Sequence, residues 1–174
     1  MRRPGPRPAS TSCCATEEKI MPDSDAPDNQ TIAEIIRVVD AIDRAVDGKD
    51  WAAARSHFAD RLTADFSSLS GQPAAEIASE ALIQAWATNL TAAKASFHMR
   101  TNHQVLLTGD TADVESAGYA WNRMEGNGEP LWEVWGTYRH HLVRTPDGWK
   151  VDAMTLIVAH QRGNVWVRDT VPAA

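Results

Sequence analysis

The side chains of this sequence that could do chemistry are histidines and carboxylates, and their spacing narrows the choice. His98 and His103 are five positions apart, and His140 and His141 are adjacent. In an extended strand each pair points to opposite faces unless a bulge intervenes. No Cys or His cluster has zinc-ligand spacing, so no metal is expected. There is no Gly-x-Ser-x-Gly elbow and no cysteine nucleophile, and no phosphate-binding glycine loop leads into a helix. Histidine titrates near 6.5 when unperturbed, which suits a proton shuttle. In a regular strand His98 shares a face with Arg100, Asn102, Gln104 and Leu106, either a solvated row or the wall of a polar pocket. Asp47 precedes Gly48; it either hydrogen-bonds the following turn or serves a pocket as a carboxylate. Tyr138 and His140 share a face with Trp132 and Val134. Together with Trp86, Asn102 and Trp121 they are candidate ligand contacts, and sheet packing is the alternative for the aromatic residues and His140.

The elements that must position these residues read from periodicity. Ile32, Ile35, Ile36, Val39, Ile42 and Val46 form one stripe of a helix over 31–46. Thr31 and Glu34 have capping-box spacing, and Gly48 is placed to end the helix. Asp50 caps a second helix over 51–58, a short strand covers 61–66, and 67–72 is a polar loop. Pro73 suits the first turn of a third helix reaching about Leu90. Four long strands follow, over 97–108, 111–124, 131–144 and 149–160, separated by turn signals such as Gly109-Asp110 and Pro146-Asp147-Gly148. Val165, Trp166 and Val167 suggest a short edge strand. This order is an α+β layout. Both faces of 131–144 carry large apolar groups, Trp132 on one and Trp135 on the other, so both need cover. With Trp166 beyond, this predicts a homodimer through the sheet.

Length and composition bound the rest. A chain of 174 residues with a charged fraction of 23% fits one globular domain, over 31–168. Residues 1–30, rich in Pro, Ser, Asp and Arg, form an expected disordered tail, as does the short end 169–174. Met21 opens an acidic leader and is a plausible translation start. The net charge of −6 and the lack of a basic block argue against nucleic acid and anionic membranes as partners. No apolar run approaches the roughly 20 residues of a membrane helix, and no export signal is expected after Arg2-Arg3. Cys13 and Cys14 are the only cysteines, which fits a reducing, cytoplasmic setting. Abundant alanine, with arginine far outnumbering lysine, suggests a GC-rich bacterial genome.

The element order resembles the nuclear transport factor 2 superfamily and, within it, the SnoaL-like proteins. The matching residues are Val46-Asp-Gly-Lys-Asp-Trp51 with Phe58, Thr63-Ala-Asp-Phe66, His98, Thr101-Asn-His103, Gly109-Asp-Thr-Ala112, Tyr138-Arg-His140, Leu142-Val-Arg144 and Asp147-Gly-Trp149-Lys-Val151. The resemblance covers about 31–160. It implies a curved antiparallel sheet forming a cone, closed by the N-terminal helices around a pocket. Members include dehydratases, isomerases, cyclases and epoxide hydrolases; others only bind. The scytalone dehydratase branch is the nearest catalytic template, and its acid–base Asp and His fall on Asp47 and His98. Val46 and Phe66 stand where that branch has tyrosines, Tyr138 stands near its Asn, and its second His has no counterpart, Tyr119 and Trp121 being in that region. The resemblance implies a small hydrophobic or polyketide-like ligand and, without a cofactor, a lyase, isomerase or cyclase. The alternative is a non-catalytic ligand-binding or dimerisation module of the same fold.

Overall fold

Ile35, Val39, Ile42 and Val46 are all buried, and the helix whose apolar stripe they form is α1 (Asn29–Asp47). The computed structural model describes Gly5 and residues 29–172. Apart from Gly5, the expected tail up to residue 28, including the Met21 start, lies outside the described residues, and Asn29 and Gln30 already belong to α1. Thr31 therefore sits inside the first turn rather than capping it. At the other end the Gly48 N–H bonds Arg44 O at 3.0 Å. Lys49, not Gly48, takes the left-handed conformation, with φ of 59°. Asp50 then caps α2 (Trp51–Ser56) by accepting from the Ala53 N–H at 3.0 Å.

Phe58 leaves α2 and opens β1 (Phe58–Asp65), where its ring meets Trp86 edge-on at 6.0 Å. A single turn, α3 (Ser67–Ser70), replaces part of the expected loop. The third helix does not begin at Pro73. Ala75–Ala78 is a strand, β2, and α4 runs over Ser79–Asn89. Tertiary pairing overrides the helix propensity of this alanine-rich stretch: β2 runs antiparallel to β1, with Arg61 Nε donating to Glu76 Oε1 at 2.5 Å.

The four long strands are β3 (Ala95–Thr108), β4 (Thr111–Arg123), β5 (Leu131–Thr145) and β6 (Gly148–Gly163). The tail is not an edge strand but a short helix, α5 (Val165–Asp169). Gly163 ends β6 with φ of 94°, and the Asn164 side chain accepts from the Trp166 N–H.

The strands form one open, curved sheet in the order β2-β1-β6-β5-β4-β3, antiparallel except for the β1–β6 pair. Bulges bend it. One lies in β6 opposite Trp135 and Gly136, where a Cβ on residue 136 would come within 2.4 Å of Ile157 O, so only glycine fits. Another lies in β3 between Thr101 and Gln104, with Asn102 at φ of 55°. The sheet wraps its inner face around α1. Ile35, Val39 and Ile42 pack there with Val114, Leu142, Val151 and Leu156, and a smaller cluster joins Trp132, Val134 and Met124 to Val167 of α5.

Candidate active site

The bulge at Asn102 decides which β3 side chains face inward. Before it, Ser96, His98 and Arg100 are the more buried residues; after it, His103, Val105 and Leu107 are. The inserted residue shifts the alternation by one, so His98 and His103 share a face and Asn102 is exposed. The expected row of His98 with Asn102, Gln104 and Leu106 is therefore broken after Arg100.

His98 and α1 meet at the helix end. Asp47 Oδ1 lies 2.7 Å from His98 Nδ1, and Asp47 Oδ2 accepts the His98 backbone N–H at 2.7 Å. The Ser96 hydroxyl donates to Oδ1 at 2.9 Å. Burial raises the pKa of the Asp47 carboxyl, but the hydrogen bonds and charge of His98, with help from Ser96, outweigh it and hold the group below its ordinary 3.8. With Asp47 ionised, Nδ1 carries a proton, and in the neutral ring Nε2 then has the lone pair. His98 lines a cavity of about 270 Å³ enclosed by the helices and the inner sheet face, and Asp47 stands behind it at the outer rim.

One turn before Asp47, Asp43 holds Arg100. Nε donates to Oδ2 at 2.5 Å and Nη2 to Oδ1 at 2.6 Å, the bidentate geometry that a guanidinium favours. Arg100 also lies 3.8 Å above the Tyr138 ring and donates from Nη1 to His140 Nε2 at 3.2 Å. Burial disfavours the Arg100 charge, but Asp43 more than offsets this and raises its pKa. A guanidinium only donates, so His140 Nε2 accepts and its proton sits on Nδ1, which is buried without a partner among the described residues. Burial, reinforced by Arg100 and His103, holds His140 well below 6.5, so it is neutral. Tyr138 lies on the cavity wall, its ring pressed against Gly118, where a Cβ would come within 2.6 Å of it. Burial raises its pKa, so the phenol stays protonated, and its hydroxyl makes no hydrogen bond among the described residues.

The structure thus brings Asp47, His98, Tyr138 and Trp86 to one place, with Trp86 on the cavity wall. His140 faces inward but supports Arg100 from behind. Trp121 is on the outer face, stacked on Phe97 at 6.0 Å. The inner row of β4 is Ala112, Val114, Ser116, Ala120 and Asn122, so residue 121 must point out. Asp43, Asn122 and Trp132 also border the cavity and escape a reading of sequence alone. Asp43 could be found from its four-residue spacing to Asp47 on one helix face; Asn122 carries no comparable signal. His103 Nε2 lies 3.0 Å from Asp40 without hydrogen-bond alignment. A third His–Asp contact, His141 to Asp152 at 2.6 Å, lies on the outer face, where His141 borders an open groove. Among the described residues no three His, Cys, Asp or Glu side chains converge as metal ligands, and no helix is long and apolar enough to cross a membrane.

The arrangement can take a proton at His98 Nε2 and offer one from the Tyr138 hydroxyl, across a pocket walled mainly by aromatic and aliphatic groups, with Asp43, Asn89, Arg100, Asn122 and Arg168 also on its lining. Residues 28–155 match the SnoaL-like domain. No curated protein matches the chain. Among solved structures, the Kfla4162 protein of Kribbella flavida is 28% identical with a TM-score of 0.76, covering 80% of this chain and 97% of its own. A protein of Novosphingobium aromaticivorans named for scytalone dehydratase is 16% identical, with a TM-score of 0.65 over 75% of this chain and 85% of its own. A hexachlorocyclohexane dehydrochlorinase, LinA type 2, is 13% identical, with a TM-score of 0.63 over 76% and 88%. The last two share the fold.

Proposed function

The chain belongs to the SnoaL-like family, and on that footing we propose that it is a cofactor-free acid–base enzyme, a lyase, isomerase or cyclase acting on a compact hydrophobic or polyketide-like molecule. The observation that carries this reading is the His98 imidazole on the cavity wall, with Asp47 on its Nδ1 at 2.7 Å. His98 Nε2 takes a proton from a carbon next to a carbonyl. The released electron pair moves toward the carbonyl oxygen and then expels a leaving group, re-protonates elsewhere or attacks a second centre. These outcomes are elimination, isomerisation and ring closure, and positioned acid–base catalysis of this kind contributes roughly 10²–10⁴-fold. The names dehydratase and dehydrochlorinase carried by two of the structural neighbours both denote eliminations. The cavity volume of about 270 Å³ suits one compact ligand, being near the small end of ligand sites. Both guanidinium groups on the lining are already paired, Arg100 with Asp43 and Arg168 with Asp169, which favours an uncharged ligand.

His98→Ala is expected to abolish turnover of a co-purifying or screened ligand while changing its affinity by less than about tenfold, roughly 1.4 kcal/mol. Asp47→Asn is expected to slow turnover less, because the base remains. Wild-type turnover in His98→Ala would remove the base from the scheme. A non-catalytic ligand-binding module is the second reading. Val46 and Phe66, which occupy the positions of the tyrosines in the scytalone dehydratase branch, both line the cavity as apolar wall. Tight binding with no conversion in the wild type would establish that reading. The sole cysteines, Cys13 and Cys14, support a cytoplasmic setting, the composition supports a bacterial one, and the outer sheet face supports a homodimer.

A further inference from the structure

The Asp47–His98 pair is the inner end of a longer chain of polar groups. Ser96 Oγ, which donates to Asp47, itself accepts from Lys49 Nζ at 2.7 Å. The directions of these bonds are forced. An ammonium can only donate, so Ser96 must accept from it, and the single hydroxyl proton is then left for Asp47. Asp47, held in this way on one side, presents the rest of its lone pairs to the His98 ring and backbone. Lys49 sits at φ of 59°, a conformation that glycine or asparagine adopts with less strain. Gly48 stands next to it and does not take that role. The strained residue is therefore the one whose side chain reaches β3.

The surroundings of this ammonium are mixed in charge. Asp47 is the carboxylate nearest it, and the groove beside the Asp47–His98 pair is lined by Asp40, Asp43 and Arg44 of α1 and by Arg100 of β3. Lys94, just before β3, lies close enough to oppose the Lys49 charge. Burial lowers the pKa of Lys49, and the nearby Asp47 charge opposes that shift.

We propose that Lys49, acting through the Ser96 hydroxyl, is a positioning residue for the Asp47–His98 pair, fixing the orientation and charge of the carboxylate that holds the imidazole. The inference rests on reading His98 as the proton-transfer group, but its test needs no substrate. The His98 ring is titrated by NMR in the free protein, in wild type and in Lys49→Met, Lys49→Asn, Lys49→Arg and Ser96→Ala. Removing the ammonium takes a positive charge from beside a group that becomes positive. It also frees the Ser96 proton to leave Asp47. Both effects favour the protonated ring. The titration midpoint is expected to rise by about half a pH unit in Lys49→Met and Lys49→Asn, the scale of one unit charge screened by water. Ser96→Ala is expected to move it the same way, and Lys49→Arg is expected to restore wild-type behaviour.

Asparagine tolerates the left-handed backbone, so Lys49→Asn should keep the wild-type Tm, separating loss of the ammonium from loss of the fold. An unchanged midpoint in Lys49→Met and Lys49→Asn overturns the proposal. So does a shift seen only in Lys49→Met and accompanied by a lower Tm. Retained turnover in His98→Ala would instead defeat the catalytic reading and leave the titration result standing.

Discussion

His140 is the side chain that most strongly ties this fold to pH. Burial first, then Arg100 and His103, hold it well below 6.5, whereas in the unfolded chain it returns to its ordinary value. Between those two values the unfolded state binds a proton that the folded state does not, so the stability is complete above 6.5 and is lost as pH falls below it. The slope is at most about 1.4 kcal/mol per pH unit for one proton. Urea unfolding is expected to show falling stability from pH 7 to pH 5, and His140→Gln should flatten that slope. An identical slope in the variant would place the pH dependence elsewhere. At this scale the sequence is legible where a side chain's role follows from its element: Asp47 at the helix end and His98 on a long strand are found by position. Asn102 and Trp121 mislead because their direction depends on a bulge and on the inward row of β4. Arg100 was visible only as a neighbour of His98, since its partner Asp43 comes from another element.

Among the elements, β3 carries the decisive irregularity. Its bulge is held by Asn102 at φ of 55°, a conformation that glycine adopts freely and that penalises β-branched side chains. Asn102→Gly is expected to leave stability within about 0.5 kcal/mol, whereas Asn102→Val should cost about 1–3 kcal/mol by urea unfolding. Equal stability of the two variants would mean that the left-handed residue does not hold the bulge. Helix α1 and the four long strands are readable because their periodicity extends over many residues. The sequence does not reveal β2 or α5, because a four-residue strand and a five-residue helix are fixed by their neighbours: the Arg61–Glu76 contact for one, and the Asn164 cap with buried Val167 for the other.

For the molecule as a whole, the outer face of the sheet remains to be covered. Phe97 is 43% exposed and Met99 50%. They adjoin Trp121, Tyr119 and Trp135, the last packed on Tyr119 at 5.0 Å and on His160 at 5.5 Å. Trp132 belongs to the cavity and Trp166 packs against the cluster around Val167, so the case for a homodimer rests on Trp135 and its neighbours. Apolar patches of this kind usually mark interfaces. Trp135→Glu is expected to give a folded monomer in light scattering, against a dimer for wild type. A monomeric wild type at tens of micromolar would end that proposal.

The parallel pairing of β1 with β6 sets an order of events during synthesis. Phe58 pairs with Val151 and Thr63 with Ala153, so β1 leaves the ribosome long before the strand it lies against, at roughly 5–20 residues per second. Helices α1 and α4 are made before the four long strands that they cover, and α5, whose Arg168 also borders the cavity, after them. Asp47 meets His98 only after β3 has emerged, and the wall behind them is complete only when β6 has slotted between β1 and β5. The stripe of α1 therefore waits uncovered until the long strands emerge, and the cavity closes only once β6 is in place.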